Sequence, residues 1–393
     1  MKIAIIGGGP AGLYFGLLMK KWRPEFQIEL YERNSPDDTF GWGVVFSDKT
    51  LGYLKSEDEP TYEEIIRRFE TWENVDIVHH DEKVTVRGNK FSGIARIEIL
   101  HILQERCREL GVDLHFREPI TDLSPFRSYD LIVGADGINS EVRSQYQEYF
   151  KSDLSTRTNR YIWYGTPHLF HGLTLTFREN GAGVFAAHSY KFNKTTSTFI
   201  IECDEETWAS AGFHDMDEDA TRRYLQEVFH HDLEGAELLS NNSKWINFVL
   251  VKNRHWWHGE DKSSANTVLL GDSLATVHFS IGSGTKLALE DAIALFHAFQ
   301  QPGDGKSQTG MSGPLGVPDA LIEFEAKRRP VVEEYQDAAY ESLLFFENLK
   351  DYMHLDPIPF AYKLMTRSKR VDHDNLRRRD PKFVEMYESY GVV

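Results

Sequence analysis

Residues 2–32 read KIAIIGGGPAGLYFGLLMKKWRPEFQIELYE. Ile3 and Ile5 alternate as a buried strand does. Gly7, Gly9 and Gly12 then stand in the spacing G-x-G-x-x-G, with Pro10 and Ala11 inside it. Gly16 and Met19 follow at helical spacing, and Ile28 and Leu30 alternate into Glu32, twenty residues after Gly12. Each position has a mechanical reason. The first glycine permits a tight turn, the second lets a pyrophosphate touch backbone, and the third lets helix and strand approach. The helix N-terminus offers free N–H groups and a positive dipole end to phosphate. Glu32, with Arg33 beside it, can accept hydrogen bonds from ribose hydroxyls. Strand, turn, helix, second strand and terminal acid in register predict a dinucleotide site, and this motif is compatible with NAD and FAD alike.

The rest of the chain bounds that reading. Its 393 residues allow a large core and predict two closely joined domains. The balance of 44 basic and 61 acidic residues gives a net charge of −17, which argues against nonspecific nucleic-acid binding. The two cysteines, Cys107 and Cys203, form no CxxC pattern and point to a reducing, cytoplasmic compartment. The apolar start breaks at the glycines and runs into the motif, so it does not read as a signal peptide, and no run is long enough to span a membrane.

Two stretches mimic phosphate loops and are set aside. ENGAGVFAA places β-formers after Gly181 and Gly183, so it reads as a hairpin turn around Asn180-Gly181. GDGKS (303–307) lacks the glycine five positions before Gly305 and lies in a Gly/Pro/Ser-rich stretch, 301–318, read as a surface loop. SYDLIVGADGINSEVR (128–143) runs from an apolar strand into Gly134, Asp136 and Gly137, with Ser140 and Arg143 opening a helix. VLLGDSLATVHFSIGSGTKLALEDAIALF, from Val268, ends a strand at Gly271-Asp272. It places Gly282 and Gly284 before a helix over about 285–299.

GxGxxG first, GADG in the middle and GD late, in this order and at these distances, resemble the single-component FAD-dependent aromatic hydroxylases (class A flavoprotein monooxygenases). The resemblance covers about residues 1–345. It implies one extended FAD, with the first motif at its ADP half and Asp272 at the ribityl–pyrophosphate. The Gly282–Thr285 loop would lie at the isoalloxazine, where backbone N–H groups around Ser283, Gly284 and Thr285 face flavin N1–C2=O. It also implies an arginine at a helix start reaching the ribityl–phosphate region. GIARIEILHIL offers Arg96, with Ile99, Leu100 and Leu103 as buried face. Many members carry His and Pro three and seven residues after the GD aspartate; here Ala275 and Phe279 stand there, with His278 adjacent.

Between Arg143 and Asn266 the pattern turns to β-branched and aromatic runs: RYIWYGT, LTLTF, VFAAHSY and TSTFIIEC. They predict an antiparallel sheet. The fold class expected is therefore α/β (α+β). A Rossmann-like FAD-binding domain (1–150 and 255–345) carries an antiparallel-sheet substrate domain (151–254) and a helical C-terminal segment (346–393). Tyr164, Tyr190, Lys191 and Phe279 are candidate substrate-wall residues. RYIWYGT and HFSIGSGT resemble a branch that includes a tryptophan-pathway indole hydroxylase and the hydroxylases of aromatic acyl-CoA thioesters, and the tail from His354 resembles the latter, salicylyl-CoA 5-hydroxylases among them. A two-domain member of that branch, acting on 2-aminobenzoyl-CoA, continues into a further flavin domain, so the end at Val393 favours the salicylyl-CoA type. Lys363 to Lys382 holds eight basic and three acidic residues, a net +5 island in which Arg367, Arg377 and Arg378 are candidates for coenzyme A phosphates.

The reaction implied is aromatic hydroxylation, salicylyl-CoA to gentisyl-CoA favoured. NADH or NADPH reduces FAD, O2 adds, and a C4a-hydroperoxide transfers OH to an electron-rich ring. No second dinucleotide fingerprint is present, so the nicotinamide would bind transiently. His188 and His278 are the candidates to accept a phenolic proton. No metal is expected: HExxH is absent, and His79-His80 and His230-His231 lack ligand spacing. A monomer or homodimer acting on a small aromatic molecule, without membrane or nucleic acid, is expected. The alternatives are a hydroxylase of a free indole or tryptophan-derived aromatic and, in another class, a non-catalytic dinucleotide-binding protein. A flavin halogenase is disfavoured because KWINFVL does not supply WxWxIP.

Overall fold

A computed structural model describes residues 1–39, 41–46, 48–259, 266–306, 312–314 and 316–391. The first part runs β1 (Lys2–Ile6), α1 (Pro10–Trp22), β2 (Gln27–Glu32), β3 (Gly43–Phe46), α2 (Asp48–Glu57), α3 (Glu59–Arg67), β4 (Glu70–His79), β5 (Glu82–Ala95), α4 (Arg96–Leu110), β6 (Asp113–Phe116), β7 (Leu131–Gly134), α5 (Glu141–Gln145) and α6 (Gln147–Phe150). The middle runs β8 (Ser152–Thr166), β9 (Leu173–Asn180), β10 (Gly183–Lys191), β11 (Ser197–Cys203), α7 (Glu205–Ser210), α8 (Glu218–Val228), α9 (His230–Leu233) and β12 (Ile246–Asn253). The last part runs β13 (Trp257–His258), β14 (Asn266–Leu269), α10 (Gly284–Gln300), β15 (Pro302–Lys306), β16 (Ser312–Pro314), α11 (Val317–Glu347), α12 (Pro357–Thr366), α13 (His373–Arg379) and α14 (Pro381–Glu388).

Six strands form one sheet in the order β13-β14-β7-β1-β2-β6, parallel except for β13. A parallel sheet is covered on both faces, and its strands are accordingly apolar runs, as in Leu131-Ile132-Val133. Helix α1 packs against α4 and α10, and every residue from Pro10 to Met19 is buried. Gly16 allows that closeness, since a Cβ there would lie 3.0 Å from Ile5 Cδ1.

The second sheet has eight strands in the order β12-β8-β11-β10-β9-β4-β5-β3. The four runs read from sequence are β8 to β11, paired antiparallel, and the turn at Asn180-Gly181 is tied by Asn180 Oδ1 accepting from Ala182 N at 2.8 Å. The sheet does not stop at the 151–254 stretch. Parallel pairing of β9 with β4 (Leu173 to Val75) adds β4, β5 and β3 from the N-terminal part. Pairing β9 on its free side removes an open edge. It also lines Val75, Ile77, Val84 and Val86 up with Leu175 and Phe177 as one apolar face, which Phe360, Leu364, Leu376 and Phe383 of α12–α14 cover. On the opposite face Ile162, Tyr164, Phe185, Phe199 and Ile201 pack under α8 residue Leu225. The 31-residue α11 ties the two sheets, with Leu321 and Phe324 in the first core and Phe345 and Phe346 in the second.

The 301–318 stretch lies partly outside the described residues. Of the rejected phosphate loop, residues 303–306 belong to β15, paired with β16, and Ser307 lies outside them. Among the described residues no helix is long and apolar enough to cross a membrane.

Candidate cofactor cleft and active site

The carboxyl ends of β1, β7 and β14 lie side by side, Ile6 level with Gly134 and Gly134 with Leu269. Ligands of such sheets bind in the crevice outside those ends. The three glycine motifs therefore touch. Gly7 has φ +114°, and a Cβ there would sit 2.2 Å from Ala135 O. Gly271, at φ +60°, would place its Cβ 3.2 Å from Ala11 Cβ. Leu270 N donates to Gly134 O (2.9 Å), Ser273 Oγ to Gly134 O (2.5 Å), and Arg143 Nη1 to Ser273 O (3.0 Å).

Other positions are left open. A Cβ on Gly9 or Gly284 would meet nothing within 4 Å. Gly9 caps α1 and Gly284 begins α10, and neither helix has a side-chain cap, so two helix N-termini face the crevice with free N–H groups. Glu32 is held by Gly8 N (2.7 Å) and Asn34 N (2.8 Å) at the end of β2. Arg96, first residue of α4, has a buried Nε–H that makes no hydrogen bond. Burial lowers its pKa against the opposing pull of Asp272. The Asp272 carboxylate is open to the crevice but ringed by protein, which raises its pKa against the pull of Arg96. Gly282 is left-handed (φ +60°) and approaches Val45 of β3, at 3.8 Å from a built Cβ. An orphaned guanidinium N–H, a facing carboxylate and two uncapped, side-chain-free helix starts fit an FAD laid from β1 to α10.

Immediately before Gly282 the chain borders a second feature. Tyr161, Glu202, Phe248, His278 and Phe279 line a narrow crevice with about 220 Å³ between its atoms, too tight here for a water molecule. The Arg157–Glu347 ion pair (2.5 Å) lies at its rim. The Phe279 ring lies 4.6 Å from Tyr161, 5.3 Å from His188 and 4.2 Å from His278. Glu202, 2% exposed, accepts from Asn159 Nδ2 at 3.0 Å and from His188 Nε2 at 3.1 Å. Burial pushes its pKa up, but His188, His278 and Asn159 together hold it below the ordinary value.

The two histidines differ in what they can do with a proton. Arg367 Nε donates to Ser342 Oγ (2.8 Å), which contacts Ser280 Oγ (2.8 Å), which contacts His278 Nδ1 (2.8 Å). Ser280 N–H also donates to His278 Nδ1 (3.4 Å), so that nitrogen is the acceptor and takes the Ser280 hydroxyl hydrogen. His278 is then neutral with its hydrogen on Nε2, and burial keeps its pKa at about 4. His188 is the reverse: its Nε2–H is given to Glu202, which leaves the Nδ1 lone pair as the basic position.

No family model matches the chain. It is 36% identical over 402 residues to a salicyloyl-CoA 5-hydroxylase of Streptomyces sp, spanning 100% of this chain and 74% of that one. It is 35% identical over 382 residues to the protodeoxyviolaceinate monooxygenase of Chromobacterium violaceum, spanning 94% and 95% of the two chains. The chain belongs to the FAD-dependent aromatic monooxygenases. Its architecture matches the crystal structure of 2-methyl-3-hydroxypyridine-5-carboxylic acid oxygenase with a TM-score of 0.71 at 17% identity, over 96% and 98% of the chains, and there the likeness concerns fold.

In this monooxygenase Gly7, Gly9, Pro10, Ala11 and Gly12 form the β1–α1 turn, Gly282, Ser283, Gly284 and Thr285 lead into α10, Arg96 opens α4 within electrostatic reach of Asp272, and Arg33 is exposed beside Glu32. Asp136 is at the same strand ends but faces its own turn, accepting from Ser140 Oγ (2.5 Å), Glu141 N (2.7 Å) and Val142 N (3.2 Å). Asp136, a candidate cofactor contact by the resemblance, is thus engaged by Ser140, the N-cap of α5, and by the first two N–H groups of that helix. Tyr164 is not a pocket wall. Side chains alternate along a strand, so Tyr164 points into the α8-side core while Tyr161 faces the crevice. Tyr190 donates to Gly43 O (2.8 Å) and stacks on Trp72, bracing β3, and Lys191 pairs with Glu70 at 2.8 Å. Arg367 is turned inward: its Nη1 and Nη2 donate to Leu364 O (2.6 Å) and Ser280 O (2.8 Å), which points it away from an external phosphate. Arg377 pairs with Glu388, and Arg378 is exposed. Sequence reasoning missed Tyr161, Asn159 and Glu202. The signal available was a glutamate inside the apolar strand run TSTFIIEC, since a carboxylate is seldom buried without a task.

Proposed function

We propose that the protein hydroxylates an aromatic ring presented as a coenzyme A thioester, with salicylyl-CoA to gentisyl-CoA the favoured reaction. Similarity along the whole chain to a salicyloyl-CoA 5-hydroxylase carries the reading. When bound and reduced by NADH or NADPH, FAD supplies oxygen activation and hydroxyl transfer. Arg96, Asp272 and the N-termini of α1 and α10 would hold it, and the N–H groups after Gly282 would stabilise negative charge on its ring. The ring of the substrate enters beside Phe279 and Tyr161, which exclude water. His188 Nδ1 takes the phenolic proton while Glu202 supports the imidazolium that forms. His278, already accepting at Nδ1, acts as a hydrogen-bond donor and not as the base. The exposed Arg378, with Arg377 beside it on α13, is the candidate for coenzyme A phosphate.

The test is the purified protein's flavin spectrum, followed by NADH and NADPH oxidation with salicylyl-CoA and with free salicylate. Thioester-dependent oxidation and a gentisyl product are expected; equal rates with free salicylate reject the thioester. Arg377→Ala with Arg378→Ala should raise the KM for the thioester with flavin content unchanged. The 35% identity to a protodeoxyviolaceinate monooxygenase favours a second reading, a free indole-derived substrate with no gain from coenzyme A.

A further inference from the structure

The crevice beside the flavin loop contains a carboxylate with no lysine or arginine bonded to it. Glu202 sits within β11, between β8 and β10, and is hydrogen-bonded by the Asn159 amide and the His188 imidazole. The other charges around it are accounted for. Arg157 is neutralised at the rim by Glu347, with bonds at 3.1 and 2.5 Å. Arg367 feels Glu202 through space, but it does not line the crevice, and its Nε, Nη1 and Nη2 each donate elsewhere, to Ser342, Leu364 and Ser280. His278 is neutral and offers Nε2–H. Among the described residues lining the crevice, an anion meets the Glu202 carboxylate and no lysine or arginine free of a carboxylate partner, and it leaves water to do so. An uncharged carbonyl meets potential donors instead, the Tyr161 hydroxyl and His278 Nε2–H.

We infer that Glu202 is a specificity determinant of this site, excluding rings that carry a free carboxylate and admitting the same rings when that group is an uncharged acyl derivative. The inference rests on the crevice being the ring site of the proposed reaction. It identifies what a thioester contributes besides its coenzyme A handle: removal of the ring carboxylate's charge. Two like charges roughly 6–8 Å apart, partly offset by Arg367, discriminate by about tenfold or more at an effective dielectric of about 20.

The test separates charge from the coenzyme A arm by comparing salicylate with salicylamide, which share a ring and differ in charge. Dissociation constants are measured on the FAD-loaded protein from perturbation of the flavin spectrum. Wild type should bind salicylamide about tenfold or more tightly than salicylate. Glu202→Gln should shrink that ratio to within about threefold, chiefly by tighter salicylate binding, and Glu202→Asp should retain it. Equal binding of the two by wild type overturns the inference even if Glu202→Gln does not fold, and so does an unchanged ratio in a folded Glu202→Gln protein. A reading of the substrate as thioester fails separately, through turnover of salicylyl-CoA no faster than salicylate.

Discussion

Gly9 and Gly12 belong to one motif but guard different things. A Cβ on Gly12 would lie 2.2 Å from Gly7 O, whereas one on Gly9 would meet nothing. Gly12→Ala should therefore destabilise the fold itself by more than about 2 kcal/mol. Gly9→Val should leave the melting temperature of the cofactor-free protein unchanged and abolish FAD retention, read from the flavin absorbance. Arg96→Met should likewise lower FAD affinity at least about tenfold without lowering cofactor-free stability, because it removes a buried donor that has no partner. His278 carries a pH signature. Its folded pKa is about 4 against an ordinary 6.5, so the unfolded chain takes a proton over that interval and the folded protein does not. Stability should fall as pH drops from about 6.5 to about 4, by up to roughly 3 kcal/mol, and His278→Gln should flatten that slope in urea titrations. The turn glycines were legible in the sequence because backbone demands at fixed spacing leave few residue choices, whereas Arg96 was suggested by the family resemblance alone. The pairing of His188 with Glu202 was not, since it depends on registering β10 against β11.

At the scale of elements, Asp58 shows how one carboxylate joins three helices. It caps α3 through Thr61, with Oγ1 at 2.7 Å, and receives Lys21 of α1 at 3.0 Å and Arg106 of α4 at 3.0 Å. Burial opposes its charge, yet bonds from Arg106, Thr61 and Lys21 hold its pKa at about 2. A depressed carboxylate stabilises above the unfolded value and loses that contribution as pH falls through the folded one. Asp58→Asn should cost on the order of 2 kcal/mol at pH 7, and the gap to wild type should close between about pH 4 and pH 2 in denaturant titrations. Strands β8 to β11 could be read from their own alternation and turns. That β9 turns to β4 could not, because the partner lies about a hundred residues upstream and pairs in parallel, a contact no local pattern announces. The same limit explains Tyr164: the strand was recognised, but its phase was not, and three residues separate the two faces.

For the molecule as a whole, the C-terminal helices are part of the core. They cover Val75, Ile77, Val84, Val86 and Phe177, and they send Arg367 to the backbone of Ser280 in the flavin loop. Truncation after residue 346 should expose that face. The shortened chain should be aggregation-prone and bind FAD weakly, measured by light scattering and flavin content; a soluble product with full flavin content would refute this role. The basic island read from the sequence had predicted a surface with one task, and the structure splits it between an inward arginine and an outward set. The contact between Gly271 and Ala11 has a further consequence, for biosynthesis. Strand β14 and the start of α10 leave the ribosome long after β1 and α1, so the early glycine motif emerges without its other half. Flavin capture should be a late event: nascent chains stalled before residue 266 should carry no flavin, and full flavin content should appear only once the C-terminal helices have also cleared the ribosome.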